Sequence, residues 1–261
     1  MVLDIGAAIS FLRNIMYSTT DKLARESTKP TGNNYYVNSA NGLYYTVMHE
    51  HDITNSTEQL NQAIQKKKDF GKGNTRIYSM WADMIHPLWK SKMKLQYAFN
   101  NVNEERWGSL TNGNMLNNNA NGSSRSTREN KLNVLCAYVI HEMLNYYATD
   151  CSNSLTNAEN IWSTILRKFD DNAGGYVDSV TNYRESYKQG LVKYCSENFA
   201  ELREIGEYQE ATGMWAGTLQ DTTSGGIYAR YMRDKNGNIV NNGSTYENTE
   251  STCSILLGYL S

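Results

Sequence analysis

The chain has 261 residues, a formal net charge of −2 and 39% hydrophobic residues. This balance is typical of a globular protein, and it lacks the basic excess by which proteins hold nucleic acid. No stretch approaches the ~18 or more apolar residues of a membrane-spanning helix. We therefore expect neither nucleic acid nor a membrane as a partner.

The opening residues place apolar side chains at helical spacing and predict an amphipathic helix from about Leu3 to Arg25. It lacks the basic start and the cleavage site of a signal peptide. The localisation stays open between the cytoplasm, a virion and a mature secreted fragment.

Two further helices are predicted over residues 55–71 and 74–102, the second kinked or split at Pro87. The stretch that follows, at about 109–128, is rich in Asn, Gly and Ser and predicts an exposed loop. It is either a flexible spacer or a binding loop, and it is a candidate internal boundary within one helical domain of residues 1–261.

Four helices are predicted in the second half of the chain, over residues 128–150, 157–171, 182–211 and 248–260. The first is apolar almost all round, which indicates a central position. The last has Asn248 or Thr249 as its N-cap. The four cysteines form no CxxC pair, and their density does not predict a disulfide framework.

Three short segments combine glycine with tyrosine: "SANGLYYTV", "DNAGGYVDSV" and "SGGIYARYM". Glycine permits a positive φ, so each segment predicts a tight turn. A short strand is expected after each turn, beginning near Tyr44, Val177 or Tyr228. The predicted fold is therefore mostly α, built from helical hairpins with short β-hairpins after the Gly–Tyr turns.

This layout resembles the α/α-toroid proteins of the six-hairpin glycosidase type, in which "GG-x-Y/W" turns join the hairpins at one mouth of a ring. The resemblance covers about the last 130 residues. It implies a partial or complete α/α toroid, and the matching residues are Gly174, Gly175, Tyr176, Gly225, Gly226, Ile227 and Tyr228, with the downstream "YENTESTCSILLGYL".

Sugar hydrolysis generally uses two carboxyl groups that face each other across a cleft. The candidate catalytic residues beside the glycine turns are Asp170, Asp171 and Asp221, and Asp178 is also near one of them. The alternative is that these aspartates serve only as turn residues, for which Asp is a preferred type.

Aromatic and basic side chains near the same turns are the candidate substrate-binding residues. They are Tyr176, Tyr228, Trp215 and Arg230. Rings of this kind stack on sugars, but near helix ends they also pack into protein cores.

No metal or cofactor site is predicted. His49 and His51 would share one face of a strand, but an exposed hairpin is the simpler interpretation. "HEMLN" has Asn145 where a zinc-binding HExxH motif needs its second histidine. The chain contains no GxxxxGKS, GxGxxG or GxSxG motif.

Two functions follow from these observations. The first is a carbohydrate-active protein, resembling a glycoside hydrolase or lyase, with an oligosaccharide or polysaccharide as its partner. The alternative is a non-enzymatic structural or assembly protein such as a phage virion component, which would form a homo-oligomer. Its support is the abundance of tyrosine, a residue that large interfaces favour.

Overall fold

The computed structural model describes residues 2–20, 23–28, 38–50, 132–177, 184–210, 215–241 and 246–260. The helices predicted over 55–71 and 74–102, and the polar loop at 109–128, lie outside these ranges. The described part is mostly α, as predicted, with a few short antiparallel strands.

The described elements follow one another from the N-terminal helix to a C-terminal helix. The helices are α1 (Ile5–Phe11), α2 (Asn38–Glu50), α3 (Leu132–Thr149), α4 (Ser152–Leu166), α5 (Ser186–Asn198), α6 (Ala200–Arg203), α7 (Trp215–Thr218) and α8 (Thr249–Leu260). The strands are β1 (Tyr17–Ser18), β2 (Leu23–Ala24), β3 (Phe169–Asp170), β4 (Gly175–Tyr176), β5 (Arg184–Glu185), β6 (Arg230–Arg233) and β7 (Ile239–Asn241).

The prediction that the first helix continues to Arg25 is wrong. Asp4 caps α1, and a π-helical segment, Leu12–Met16, ends the helical run. The chain then enters β1, which pairs with β2. Hydroxyl side chains such as Thr19 compete with the backbone for hydrogen bonds, which favours turns over helix.

The first of the three Gly–Tyr turns is also not a turn. The segment "SANGLYYTV" lies within α2, so the strand predicted to begin at Tyr44 does not exist. Leu43 and Val47, and likewise Tyr44 and Met48, are one helical turn apart and all buried. Burying this face in the core outweighs the low helix propensity of Gly42.

Helix α8 packs against other helices. It contacts both α5 and α2, while α5 also contacts α3, which pairs with α4. Helices α3 and α4 form the predicted kind of helical hairpin, joined through Asp150, whose φ is 54°. Arrangement of the helices as a toroid remains a prediction.

Helices α5 and α8 approach each other backbone to backbone at Gly190. A Cβ atom on Gly190 would lie 2.5 Å from the carbonyl carbon of Ser254, much closer than real contacts allow. A Cβ on Gly258 would lie 3.2 Å from the carbonyl oxygen of Gly190. Glycine is therefore required at position 190 for this helix pair to form.

Both remaining Gly–Tyr segments do form turns next to short strands. Strand β4 follows Gly174 and pairs with β3, and β6 follows the turn at Gly225 and lies between β5 and β7. The hydroxyl of Tyr231 donates to the carbonyl of Gly174 at 3.0 Å, so the first turn packs on the sheet that follows the second.

Three buried side-chain amides each bind both backbone groups of one residue in a segment outside the helices. The Asn41 amide accepts from the Ala24 N–H and donates to its carbonyl. Gln189 does the same to Tyr176 at 2.9 Å for both bonds, and Gln220 to Asp4. We call these contacts amide brackets; each replaces a strand partner for one residue.

We predict that Gly190→Ala lowers the free energy of unfolding by about 2 kcal/mol or more, because the new methyl group pushes α5 off α8. Gly6→Ala in α1 is the matched control, because its Cβ would meet nothing closer than 3.4 Å. That change should be neutral or stabilise by up to ~1 kcal/mol. Urea unfolding followed by circular dichroism measures both, and equal effects would contradict the close approach.

We also predict that Gln189→Met destabilises the fold by about 2 kcal/mol or more. The change keeps the volume but leaves the N–H and carbonyl of Tyr176 without their partner in the interior. The exposed Gln209 provides the control, and Gln209→Met should change the urea midpoint little. A Gln189 variant as stable as the parent would argue against the bracket.

Candidate functional site

The segment from Asp221 to Tyr228 folds into a tight corner that rests on α1. Gly225 has φ +82°, and a Cβ there would lie 2.3 Å from the carbonyl oxygen of Ala7. A side chain at this position would therefore lift the segment off α1. We refer to residues 221–228 as the Gly225 corner.

The Asp221 carboxylate closes the turn of this corner. Its Oδ1 atom accepts hydrogen bonds from the N–H groups of Thr223 at 2.9 Å and Ser224 at 2.7 Å. These donors stabilise the ionised form, so the Ser224 N–H above all lowers the pKa of Asp221, with the hydroxyl of Tyr228 adding to the effect. Asp221 is therefore ionised at neutral pH.

Tyr228 is a hydrogen-bond partner of Asp221, since its hydroxyl donates to Oδ2 of Asp221 at 2.8 Å. Both side chains are partly exposed. The hydrogen bond to Asp221, followed by burial and the negative charges of Asp221 and Glu247, raises the pKa of Tyr228 to about 12. Tyr228 is thus a protonated donor at neutral pH and does not act as a base.

Glu247 brings a second carboxylate to the same corner. Its Oε2 accepts from the hydroxyl of Thr28 at 2.6 Å, and its Oε1 from the hydroxyl of Ser224 at 3.4 Å. Its backbone pairs with Tyr228 as an isolated bridge. Two carboxylates and one phenol therefore meet at one partly exposed surface.

Sequence reasoning did not identify Glu247 as a site residue. It lies 19 positions beyond Tyr228, directly before α8, in the segment quoted only for its likeness to the toroid proteins. Only the pairing of the two backbones brings it to the corner, and no spacing rule encodes that pairing.

A third carboxyl group lies on the neighbouring segment, beneath the start of α8. Glu26 accepts from the side-chain amide of Asn248 at 2.9 Å, while its Oε2 atom is buried without a partner among the described residues. Burial raises the pKa of Glu26, and the bond from Asn248 partly offsets this. Glu26 and Asp221 are thus displaced in opposite directions from their ordinary pKa values.

The aspartates of the other corner have structural partners. Asp170 accepts from the N–H of Ala173 at 3.2 Å, which is an ordinary turn contact. The carboxylate of Asp171 accepts from the Arg233 guanidinium at 3.2 Å, and its carbonyl accepts from the same side chain at 2.7 Å.

Asp171 and Asp221 are held by different partners. Asp171 bonds to Arg233 at the end of β6, whereas Asp221 bonds to Tyr228 before β6 begins. Glycosidases use two carboxyl groups at one site, and the pair to consider is Asp221 with Glu247, because both carboxylates accept hydrogen bonds from Ser224.

Tyr176 lies in the core, with a side chain only 1% exposed. Its ring packs against Phe169 and Tyr208, and its hydroxyl accepts from the N–H of Gln209. The ring therefore has no free face on which a sugar could stack in this structure, which is a correction to its predicted substrate-binding role.

The remaining predicted site residues are only partly covered by the described structure. Arg230 begins β6 opposite Glu185 and is partly exposed. Trp215 begins α7, but its side chain, like the whole of Asp178 and His51, lies outside the described residues. His49 belongs to helix α2, so the exposed hairpin expected at His49 is wrong.

The described residues contain neither a metal-binding cluster nor a membrane-spanning helix. No three His, Cys, Asp or Glu side chains in that part of the chain are grouped to hold a metal ion. None of its helices combines the length and apolar character needed to cross a membrane.

No family model, curated protein or solved structure matches this chain. The likeness to the α/α-toroid proteins therefore remains an expectation from the sequence.

We predict that Tyr228→Phe raises the pKa of Asp221 towards the ordinary aspartate value, because one donor to the carboxylate is lost. The folded-state pKa lies below the unfolded one, so ionised Asp221 favours the folded state above about pH 4. That contribution is lost as the pH falls through the folded pKa, and in the variant it becomes smaller.

A carboxyl-detected NMR titration measures the pKa directly. Tyr147→Phe is the control, because the hydroxyl of Tyr147 donates to a different carboxylate, that of Glu201. An unchanged Asp221 pKa in the Tyr228 variant would contradict the hydrogen bond.

Proposed function

We propose that this protein is carbohydrate-active and acts on an oligosaccharide or polysaccharide at the Gly225 corner. The observation that carries the proposal is the meeting of Asp221, Tyr228 and Glu247 at one partly exposed surface. Carboxylates accept from sugar hydroxyls, and a pair of carboxyl groups is the set that glycoside hydrolysis uses.

The pKa displacements support distinct roles for the groups. Asp221 stays ionised and serves as the nucleophile or base, while Glu247 is the second carboxyl group of the pair. Tyr228 stays protonated and orients Asp221 or a sugar hydroxyl by hydrogen bonding. Arg230 and Trp215 remain proposed contacts to more distant parts of the substrate.

Hydrolysis of a neutral sugar is favoured over elimination from an acidic one. A lyase removes a proton next to the carboxylate of a uronic acid, so its substrate is an anion and its enzyme needs a base. Asp221 and Glu247 would repel that anion. A tyrosine with a pKa of about 12 is also not a base at neutral pH.

The structural alternative has an observation of its own. Both oxygens of Asp221 are engaged within its own corner, and Glu247 is held by Thr28, as expected for residues that only shape a turn. Tyr147 and Ile205 are also 49% and 42% exposed, which suits an interface in an assembly or homo-oligomer.

The test is cleavage of a panel of neutral glucans, xylans, mannans and chito-oligosaccharides, with pectate and alginate as acidic comparisons. We expect new reducing ends from a neutral member. Asp221→Asn and Glu247→Gln should each lower the rate by about 100-fold or more, since each removes an acid–base group.

Asp234→Asn is the matched control. Asp234 also closes a turn through its carboxylate, accepting from the N–H groups of Asn236 and Asn238, but it lies in the β6–β7 connection. It should keep full activity. Absence of cleavage across the panel, together with an assembled oligomer in light scattering, would favour the structural alternative.

A further inference from the structure

A polar cleft lies at the C-terminal end of α5. It is formed by the last turns of α5 and by the irregular segment 204–210, and its volume is about 330 Å³. Small-molecule sites in proteins begin at about this size.

The segment that closes this cleft is fixed by side chains from three elements. The indole of Trp162 donates to the carbonyl of Gly206 at 2.9 Å. The N–H of Tyr208 donates to the hydroxyl of Ser196, and the next N–H, of Gln209, donates to the hydroxyl of Tyr176. The wall of the cleft is therefore held in place before any ligand binds.

Lys193 forms the floor of the cleft and has its charge neutralised there. Its ammonium lies 3.2 Å from the Glu197 carboxylate and 4.0 Å from that of Glu210. It also lies over two tyrosine rings, 5.1 Å from the centre of Tyr208 and 4.6 Å from that of Tyr259. This ammonium keeps its place in the cleft and has little attraction left for an anion.

The other cation of the lining is also engaged. Arg203 donates to the carbonyl oxygens of Ser196 and Glu197 near the end of α5. The lining contains two cations, Lys193 and Arg203, and three carboxylates, so its formal net charge is −1. The carboxylates are those of Glu197, Glu207 and Glu210. A phosphate or another multiply charged anion is therefore disfavoured.

The lining offers the carboxylates of Glu197, Glu207 and Glu210 as acceptors, together with the hydroxyl of Ser196, and a hydroxyl group both donates and accepts. An uncharged ligand with several adjacent hydroxyls can satisfy such a lining without adding charge. We propose that the cleft binds one ring of a neutral sugar chain.

This inference rests on the proposed function, because the sugar chain is the one proposed to bind at the Gly225 corner. The cleft would bind another part of the same polymer, at a distance from that corner. The N-terminal residue of α5, Ser186, donates to the carbonyl of Tyr228 in that corner. Lys193 follows seven residues later, which corresponds to about 10 Å of helix rise.

Glu207 is the residue to change. It is exposed at the edge of the cleft, and within the described part of the chain its carboxylate bonds to no other group. Glu207→Gln should leave the fold intact and weaken binding about tenfold, because a charge-assisted acceptor becomes a neutral one. Glu204→Gln, an exposed neighbour that does not line the cleft, is the control.

The experiment titrates the full chain with maltohexaose, cellohexaose, xylohexaose, mannohexaose and chitohexaose, using NMR shifts of Ser196 and Tyr208 and calorimetry. Inorganic phosphate and tetramethylammonium are the charged comparisons. We expect one hexasaccharide to bind the parent protein. It should bind Glu207→Gln about tenfold more weakly and Glu204→Gln with the affinity of the parent.

Asp221→Asn separates this inference from the proposed function, since it should lower the cleavage rate about 100-fold or more while leaving binding at the cleft unchanged. Binding without cleavage by the parent protein would therefore retain the cleft and remove the catalytic proposal. The inference is overturned if no hexasaccharide shifts Ser196 and Tyr208, if Glu207→Gln binds as tightly as the parent, or if only phosphate or tetramethylammonium binds.

Discussion

The described fold depends on the direct contact between the backbones of α5 and α8 at Gly190. Because no side chain separates these helices there, their spacing is fixed by van der Waals contact between main-chain atoms. The start of α5 supports the Gly225 corner through Ser186, and its end forms the polar cleft. Residues before α8 carry Glu247. Helix α5 therefore links both candidate sites, and its close approach to α8 connects them to the segment that carries Glu247.

The sequence predicted the elements whose signals are local. The last helix begins at Thr249 with Asn248 as its cap, as expected, because an amide accepting from the Ser251 N–H is a short-range contact. Boundaries set by tertiary contacts were missed. Helix α4 begins at Ser152, before the predicted start at 157, and the helix predicted over 182–211 breaks at Phe199, where the backbone is extended.

The residues of the candidate site likewise divide into those with a local signal in the sequence and those placed by tertiary contacts. Asp221 and Tyr228 are candidates that the sequence already offers, because a glycine turn with a carboxylate and an aromatic neighbour is visible within eight residues. The place of Glu247 at the corner and the burial of the Tyr176 ring are not visible in the sequence, because pairing between distant backbones and burial of a ring depend on the whole fold. A turn signal identifies the residues of a corner but not which of them faces solvent.

The same contacts serve both interpretations of the Gly225 corner. Hydrogen bonds that close a turn also hold the Asp221 carboxylate in one orientation, and a fixed charge is what acid–base chemistry requires. Structural engagement of Asp221 is therefore compatible with a chemical role. The distinction lies in whether a substrate reaches the remaining face of the carboxylate.

The amide brackets have a consequence for the conditions under which the molecule keeps its shape. Asn41, Gln189 and Gln220 hold segments outside the helices in place through groups that carry no charge and do not titrate. Mobile ions do not screen such bonds as they screen exposed ion pairs. The attachment of these segments should therefore hold across a wide range of ionic strength and acidity, including conditions in which surface carboxylates lose their charge.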